Sequence, residues 1–246
     1  MAAHQNKQRR RLLRGMTAGA AALAAAGAAQ ASLLPRPKKS EKFDVVVIGA
    51  GMSGLTAALT ALQAGAKVLI VDKMPESRTG GNSRLAGGLF AVPRDESAEA
   101  KKDYLDDFTK KAMGRGNVEI YKVLAERAHE SIAWVKAQGG EYLPIAPLAP
   151  YKLSQFTPAP APYFGMPRLL GALRAKFTAG GGKMAFETKA RQLLMDERGR
   201  VNGLRATNND GAIDYQARAV VIAAGGYAAA RDMLETLVDP NAGAMN

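Results

Sequence analysis

The stretch Phe43–Asp72, which reads FDVVVIGAGMSGLTAALTALQAGAKVLIVD, decides the fold of this chain. Its first part, Phe43–Ile48, is a short apolar and largely β-branched run, which is typical of a buried parallel strand. The pattern that follows predicts a helix over Met52–Ala64 and a second buried strand over Lys67–Val71, closed by Asp72. The stretch is therefore predicted to be a strand–turn–helix–strand unit.

Three glycines, Gly49, Gly51 and Gly54, lie between the first strand and the helix. In a dinucleotide-binding unit they allow a sharp turn, the approach of a pyrophosphate to the backbone and close packing of the helix on the sheet. Asp72 follows Gly54 by 18 residues, where an acid accepts hydrogen bonds from ribose hydroxyls. The spacing predicts a dinucleotide site without separating FAD from NAD. The alternative is a glycine-rich turn in an ordinary α/β protein.

The composition limits the chemistry that this chain can perform. Its 246 residues, 47% of them hydrophobic, suffice for one substantial domain with a buried core. It has no cysteine and only two histidines, which excludes disulfides, cysteine-ligated metals and iron–sulfur clusters, and we expect no metal site. The net charge of +12 is spread along the chain, apart from a basic N-terminus, without a basic and aromatic cluster, so no nucleic-acid partner is expected.

Residues 1–31 are predicted to be a twin-arginine signal peptide. Arg9–Arg14 reads RRRLLR, which has two arginines, any residue, two apolar residues and a base. A weakly apolar run and the cleavage pattern Ala29–Ala31 follow, so Ser32 is the expected mature N-terminus. A basic soluble helix or an uncleaved anchor is the alternative; we expect export to the periplasm by the twin-arginine machinery and no stable membrane anchor. Because this route carries folded proteins, it favours a tightly held flavin, and residues 32–42 are predicted to be a linker.

A glycine-rich segment, Thr79–Gly88, follows the second strand and reads TGGNSRLAGG. It is predicted to be a loop that wraps closely on a ligand, with Asn82 and Ser83 as polar contacts. An unspecialised flexible loop is the alternative.

Together, GAGMSG, a strand ending in Asp-Lys, and GGNS followed by AGG resemble the FAD-binding 2 family, which includes fumarate reductase and succinate dehydrogenase flavoproteins. The resemblance implies an α/β, Rossmann-like FAD-binding domain. It also implies hydride transfer between the flavin and an activated C–C bond of a small, carboxylate-bearing substrate. The loop has no histidine for a covalent link, so FAD is expected to be noncovalent. The residues expected at the FAD are Gly49, Gly51, Ser53, Gly54, Asp72, Lys73, Gly81, Asn82, Ser83, Gly87, Gly88, Ala190, Ala224 and Gly225.

The middle of the chain is predicted to be a helical insertion. Glu96–Met113 and Asn117–Gln138 are predicted helices, and the second carries an apolar stripe typical of a core-facing helix. His129 and Trp134 on that helix are expected to be structural. Pro144–Pro167 holds seven of the twelve prolines and is predicted to be a surface connector, or alternatively a rigid loop that faces the substrate.

The last part of the chain is predicted to return to the nucleotide site. We expect a helix over Met166–Ala179, a β meander and a buried strand that runs into Gly225-Gly226, as in the family's returning segment. The meander segments are Lys183–Glu187, Ala190–Asp196, Val201–Thr207 and Ala212–Gln216, and the buried strand is Ala219–Ile222. In the family, the residue matching Ala190 offers backbone groups to adenine.

The resemblance covers only the first part of the family's pattern, from Phe43 to about Leu237. Residues 43–246 are therefore interpreted as an FAD-binding domain without the cap domain that carries the family's proton donor, and no catalytic residue is assigned. With no cysteine for an iron–sulfur cluster, electrons are expected to come from a separate carrier. Two alternatives stay open: a non-catalytic FAD-binding fragment or subunit and, more weakly, an NAD-dependent dehydrogenase.

Overall fold

The computed structural model describes residues 37–160, 165–227 and 230–238. Strand β1 (Lys39–Ile48), helix α1 (Met52–Gln63) and strand β2 (Val68–Val71) form the predicted unit. The two strands pair in parallel, with Val45 opposite Val68 and Ile48 opposite Val71. The order and type of these elements confirm the sequence prediction.

Four later strands are β6 (Lys183–Ala185), β7 (Lys189–Met195), β8 (Val201–Asn208) and β9 (Gly211–Ile222). In the described part of the chain, they join β1 and β2 in a central sheet with the strand order β6-β2-β1-β9-β8-β7. Strands β6, β2, β1 and β9 run parallel, whereas β7 and β8 are antiparallel to their neighbours. The mixed α/β architecture agrees with the predicted class.

Both faces of the central strands are buried, because successive side chains of a strand point to opposite sides. On one side, Val47 and Ile70 pack against α1 and helix α5 (Gly165–Ala179). On the other side, Val46 and Leu69 lie in a second cluster with residues of β8 and β9. The carboxyl ends of β1, β2 and β9 are thereby held at one edge of the sheet.

The predicted insertion lies between β2 and α5. Its helices α3 (Ala98–Lys111) and α4 (Val118–Ala137) begin after side-chain caps, since Ser97 accepts from the N–H of Ala100 and Asn117 from that of Ile120. Residues 144–160 of the proline-rich segment contribute two strands, β4 (Ala146–Leu148) and β5 (Leu153–Phe156), which form a small antiparallel sheet with β3 (Phe90–Pro93). The described residues contain no helix that is long and apolar enough to cross a membrane.

Three features differ from the sequence prediction. Strand β1 begins at Lys39, inside the predicted linker, because its first residues pair with β9 from Ile213 onward. The segment at Lys183 belongs to the parallel sheet and not to the meander, since β6 pairs with β2. The meander strand and the returning strand are one continuous β9, which extends the main sheet.

The predicted burial is wrong in two places. Ile222, at the end of β9, is 67% exposed, because β8 pairs with β9 only as far as Gln216 and leaves the later residues with a neighbour on one side. On α4, Ile120 and Val123 are exposed, whereas Ala125 is buried. The helix is rotated so that the face containing Tyr121 and Ala125 meets α3. The spacing of apolar residues along a helix predicts an apolar stripe, but it does not show which residues of that stripe the neighbouring elements cover.

Candidate functional site

The carboxylate of Asp72 lies at the end of β2 and is almost fully hydrogen-bonded within the protein. Its Oδ2 accepts from the backbone N–H of Ala50 at 2.9 Å and from the hydroxyl of Thr79 at 3.0 Å. Its Oδ1 accepts from the N–H of Met74 at 2.8 Å. Asp72 is 8% exposed, so these three donors replace most of the water that an ionised carboxylate would otherwise bind.

Gly49 and Gly54 are required by close backbone contacts. Gly49 has φ +102°, and a Cβ built on it would lie 2.5 Å from the carbonyl oxygen of Ala223. A Cβ on Gly54 would overlap the carbonyl oxygen of Gly49. These two glycines therefore allow α1 and the end of β9 to pack closely against the turn. The sequence pattern predicted such a close approach of helix and sheet.

Gly51 is different, because its backbone conformation suits any residue. It has φ −75° and ψ −176°, and a Cβ built on it would lie 3.3 Å from the hydroxyl oxygen of Ser83 and 3.5 Å from the carbonyl oxygen of Gly80. A side chain here would fill the space between the start of α1 and the glycine-rich segment. This space is where a pyrophosphate must approach the backbone in a dinucleotide site.

The glycine-rich segment is not entirely a loop. It contains a short helix, α2 (Gly81–Leu85), which places the hydroxyl of Ser83 at the start of α1, where it accepts from the N–H of Met52 at 3.1 Å. The first-turn N–H groups of a helix have no partner within the helix. Ser53 is exposed in that turn, so polar groups of both segments converge at this point.

The other predicted residues of this segment are distributed around the site. Lys73, Gly81 and Asn82 are exposed, while Gly87 is half-buried. Gly88 has φ +76°, and a Cβ built on it would lie 2.5 Å from Cγ of Met166, so this glycine fits the segment against α5.

The segment that follows β9 also lies beside the turn after β1. Ala224 and Gly225 follow β9 beside the turn, and the N–H of Ala223 donates to the carbonyl of Ile48 at 2.9 Å. Ala190 lies on β7 opposite Ala206, two residues after Thr188, whose N–H donates to the carbonyl of Asp72 at 2.8 Å. The contacts of all these residues with FAD stay predictions.

Two features of the site were missed from the sequence. The sequence marks Thr79 only as the start of the glycine-rich segment, and its contact with Asp72 has no signal in residue spacing. A cavity of about 250 Å³ next to Ala50 is lined by Arg84 and Arg174 from separate helices. Conversely, His129 is structural as expected, since its Nε2 donates to the carbonyl of Pro93 at 2.9 Å.

Residues 44–245 match the family model described as "FAD binding domain". The chain belongs to this family. The predicted resemblance is confirmed, and FAD is the cofactor of the domain. The residues present fit this group, because Gly51 leaves the space that a side chain would fill and Asp72 holds an acceptor at the end of β2.

Relatives of this FAD-binding chain are considerably longer. A urocanate reductase of Eggerthella lenta is 30% identical over 207 residues, which are 75% of this chain and 32% of that protein. A fumarate reductase (cytochrome) of Shewanella frigidimarina is 26% identical over 220 residues, 86% of this chain and 38% of that protein. The open conformation of a flavocytochrome c3 fumarate reductase has the same fold, with a TM-score of 0.72 and 24% identity over 84% of this chain and 37% of that chain. This chain thus spans about a third of their length.

Proposed function

We propose that this chain is the FAD-binding part of an exported flavoenzyme that reduces an activated C=C bond of a small, carboxylate-bearing substrate. The observation that carries the proposal is the space beside Gly51, which Ser83 borders. This space lies next to the hydrogen-bonded carboxylate of Asp72, in a chain that belongs to the FAD-binding family. Relatives named as urocanate and fumarate reductases support the reaction class.

In this proposal the residues of the chain bind and orient the cofactor without a covalent link. Asp72 accepts from the ribose of the adenosine half, while Gly51 and the first turn of α1, with Ser53, receive the pyrophosphate. Ala190 and Gly225 contact the cofactor through their backbone groups. Bound FAD supplies hydride chemistry to the substrate. A separate electron carrier serves the flavin, in line with the relative named as a fumarate reductase (cytochrome).

Flavin titration and reoxidation test this function. The full 246-residue chain is titrated with FAD, reduced anaerobically, and then mixed with fumarate, urocanate or acrylate. We expect one FAD per chain and recovery of the oxidised flavin spectrum with at least one of these substrates. Because this chain spans about a third of the length of its relatives, FAD binding without reoxidation would favour the alternative of a non-catalytic FAD-binding fragment, and absence of FAD binding would contradict the cofactor site itself.

A matched pair of glycine variants tests the geometry. Gly51→Ala should fold normally, yet weaken FAD binding about tenfold or more, equivalent to about 1.4 kcal/mol, because its methyl group occupies the pyrophosphate space. Gly65→Ala is the control, since a Cβ there meets nothing within 4 Å and Gly65 follows the opposite end of α1 from Gly51. Equal FAD affinity of the two variants would place the pyrophosphate elsewhere.

Export is the second element of the proposal and rests on residues 1–31, which lie outside the described residues. Replacing both Arg9 and Arg10 with lysine should leave the flavoprotein in the cytoplasm, because the twin-arginine machinery reads the arginine pair. The measurement is the distribution of the chain between periplasmic and cytoplasmic fractions, with Arg14→Lys as the control. Unchanged export of the double variant would argue against this route.

A further inference from the structure

Thr79 and Asp72 form a buried polar pair at the edge of the nucleotide site. Their exposed fractions are 7% and 8%, and the Thr79 hydroxyl donates to Oδ2 of Asp72 at 3.0 Å. The chain between them returns through a single 3₁₀ turn, Glu76–Arg78. Buried hydroxyls and carboxylates are costly unless they are paired, so this contact holds both groups in one orientation.

The hydrogen-bond inventory of Asp72 leaves little room for further donors. A carboxylate offers about four acceptor positions, two on each oxygen. Ala50 and Thr79 use both positions of Oδ2, and Met74 uses one of Oδ1. The remaining position is on Oδ1, so the orientation imposed by Thr79 decides which oxygen faces a ligand.

Thr79 also begins the segment that reaches the pyrophosphate space. Gly80 follows it with φ +110°, and three residues later Ser83 accepts from the N–H of Met52. The segment is thus anchored at two points, once to the end of β2 and once to the start of α1. The second anchor, Ser83, borders the space beside Gly51.

We propose that Thr79 is a positioning residue for the ribose of the bound nucleotide. Its hydroxyl occupies Oδ2 of Asp72 and thereby presents Oδ1 to a single ribose hydroxyl. The inference rests on the proposed FAD site and deepens it. Thr79 acts through Asp72 and needs no contact with the cofactor of its own.

The experiment compares FAD and ADP affinities of variants, with flavin fluorescence as the readout for FAD and competition for ADP. Thr79→Val, which keeps the shape and loses the donor, should raise both dissociation constants by about tenfold. Thr79→Ser should restore affinity to within about threefold of the original chain. The control is Thr60→Val, because the Thr60 hydroxyl donates at 2.9 Å to Thr56 within α1.

A double-variant cycle separates positioning from general stability. If Thr79 acts through Asp72, then Asp72→Asn combined with Thr79→Val should bind FAD no more than about twofold more weakly than Asp72→Asn alone. Additive losses, or a Thr79→Val variant that melts at a lower temperature but binds FAD normally, would overturn the inference. Should Thr79→Val not fold, Thr79→Cys, a weaker donor of similar size, takes its place under the same criteria. Failure of the original chain to bind FAD would count against the proposed function instead.

Discussion

The nucleotide turn and the helical insertion are stabilised in different ways. At the turn, backbone meets backbone: Gly49 lies against Ala223, and Gly54 lies against Gly49. In the insertion, residues 90–158, side chains meet side chains, as in the stacked rings of Tyr104 and Phe108, whose centroids are 4.4 Å apart. Side chains have rotamers with which to adapt, whereas a backbone contact has none, so the two regions should differ in their tolerance of substitution.

One acid from each region shows a related contrast. Asp72 at the turn is held by neutral donors, two backbone N–H groups and one hydroxyl. Asp103 in the insertion is held by cations, because Arg94 and Lys152 both contact its carboxylate.

The insertion also leaves an open, largely apolar cavity of about 680 Å³ between α1, β3 and α4, bordered by Val123.

The largest expected effect is at the turn. Gly54→Ala should destabilise the fold by about 3 kcal/mol or more, because its Cβ overlaps a backbone oxygen that cannot rotate away. The control, Gly171→Ala in α5, should be neutral or stabilising by up to about 1 kcal/mol. Urea unfolding measures both variants. A small loss for Gly54→Ala would show that the turn can adapt as side chains do.

An intermediate effect is expected for Asp103, and it should be largest above the ordinary pKa of this carboxyl and vanish in strong acid. The hydrogen bond from Arg94, aided by Lys152, holds the pKa of Asp103 below its ordinary value of 3.8. A lowered pKa in the folded state means that the stabilisation is complete above the ordinary pKa and is lost as the pH falls through the folded one. Asp103→Asn should therefore flatten the acid-side decline of stability.

Urea unfolding between about pH 2.5 and pH 6 provides the test of this decline. Asp106→Asn is the matched control, because its carboxylate is 63% exposed and pairs with Lys102 at the surface, where such pairs contribute little. The same pH slope for Asp103→Asn and the original chain would show that the cation cluster does not stabilise the insertion.

The smallest effect is expected on the exposed part of α4. Ile120 is 56% exposed, so Ile120→Ser should change the free energy of unfolding by less than about 0.5 kcal/mol. Ile132→Ala on the same helix should cost about 2–5 kcal/mol, since Ile132 is 4% exposed and packs with Val92 and Phe156. A loss for Ile120→Ser that approaches the loss for Ile132→Ala would mean that this surface is covered in solution.

The elements that the sequence predicted well are those with a local cause. The helix expected over Met52–Ala64 is observed over Met52–Gln63, and the strand expected over Lys67–Val71 is observed over Val68–Val71. Apolar runs, glycines and side-chain caps act within a few residues of the chain, so their consequences can be read without knowing its path. The helices of the insertion were predicted for the same reason.

Features that depend on distant neighbours were not predictable in the same way. The apolar stripe of α4 correctly predicted a helix. Which residues of this stripe are buried depends on how α3 packs against α4. The strand predicted at Ala219 and the meander segment at Ala212 are one strand, because both pair with β1 in a single register. Pairing of this kind is set by the packing of the whole sheet and leaves no local pattern.

For the site, the sequence by itself determined the dinucleotide glycines, the acid at the end of β2 and the resemblance that names FAD. These depend on residue types at short spacing, which the chain carries however it is folded. Only the tertiary structure decided that Gly51 lies against Ser83 and Gly80, that Ser83 accepts from the first turn of α1 and that Thr79 donates to Asp72. A hydroxyl and a carboxylate interact only when folding brings them within hydrogen-bonding distance, and no spacing along the chain guarantees that distance.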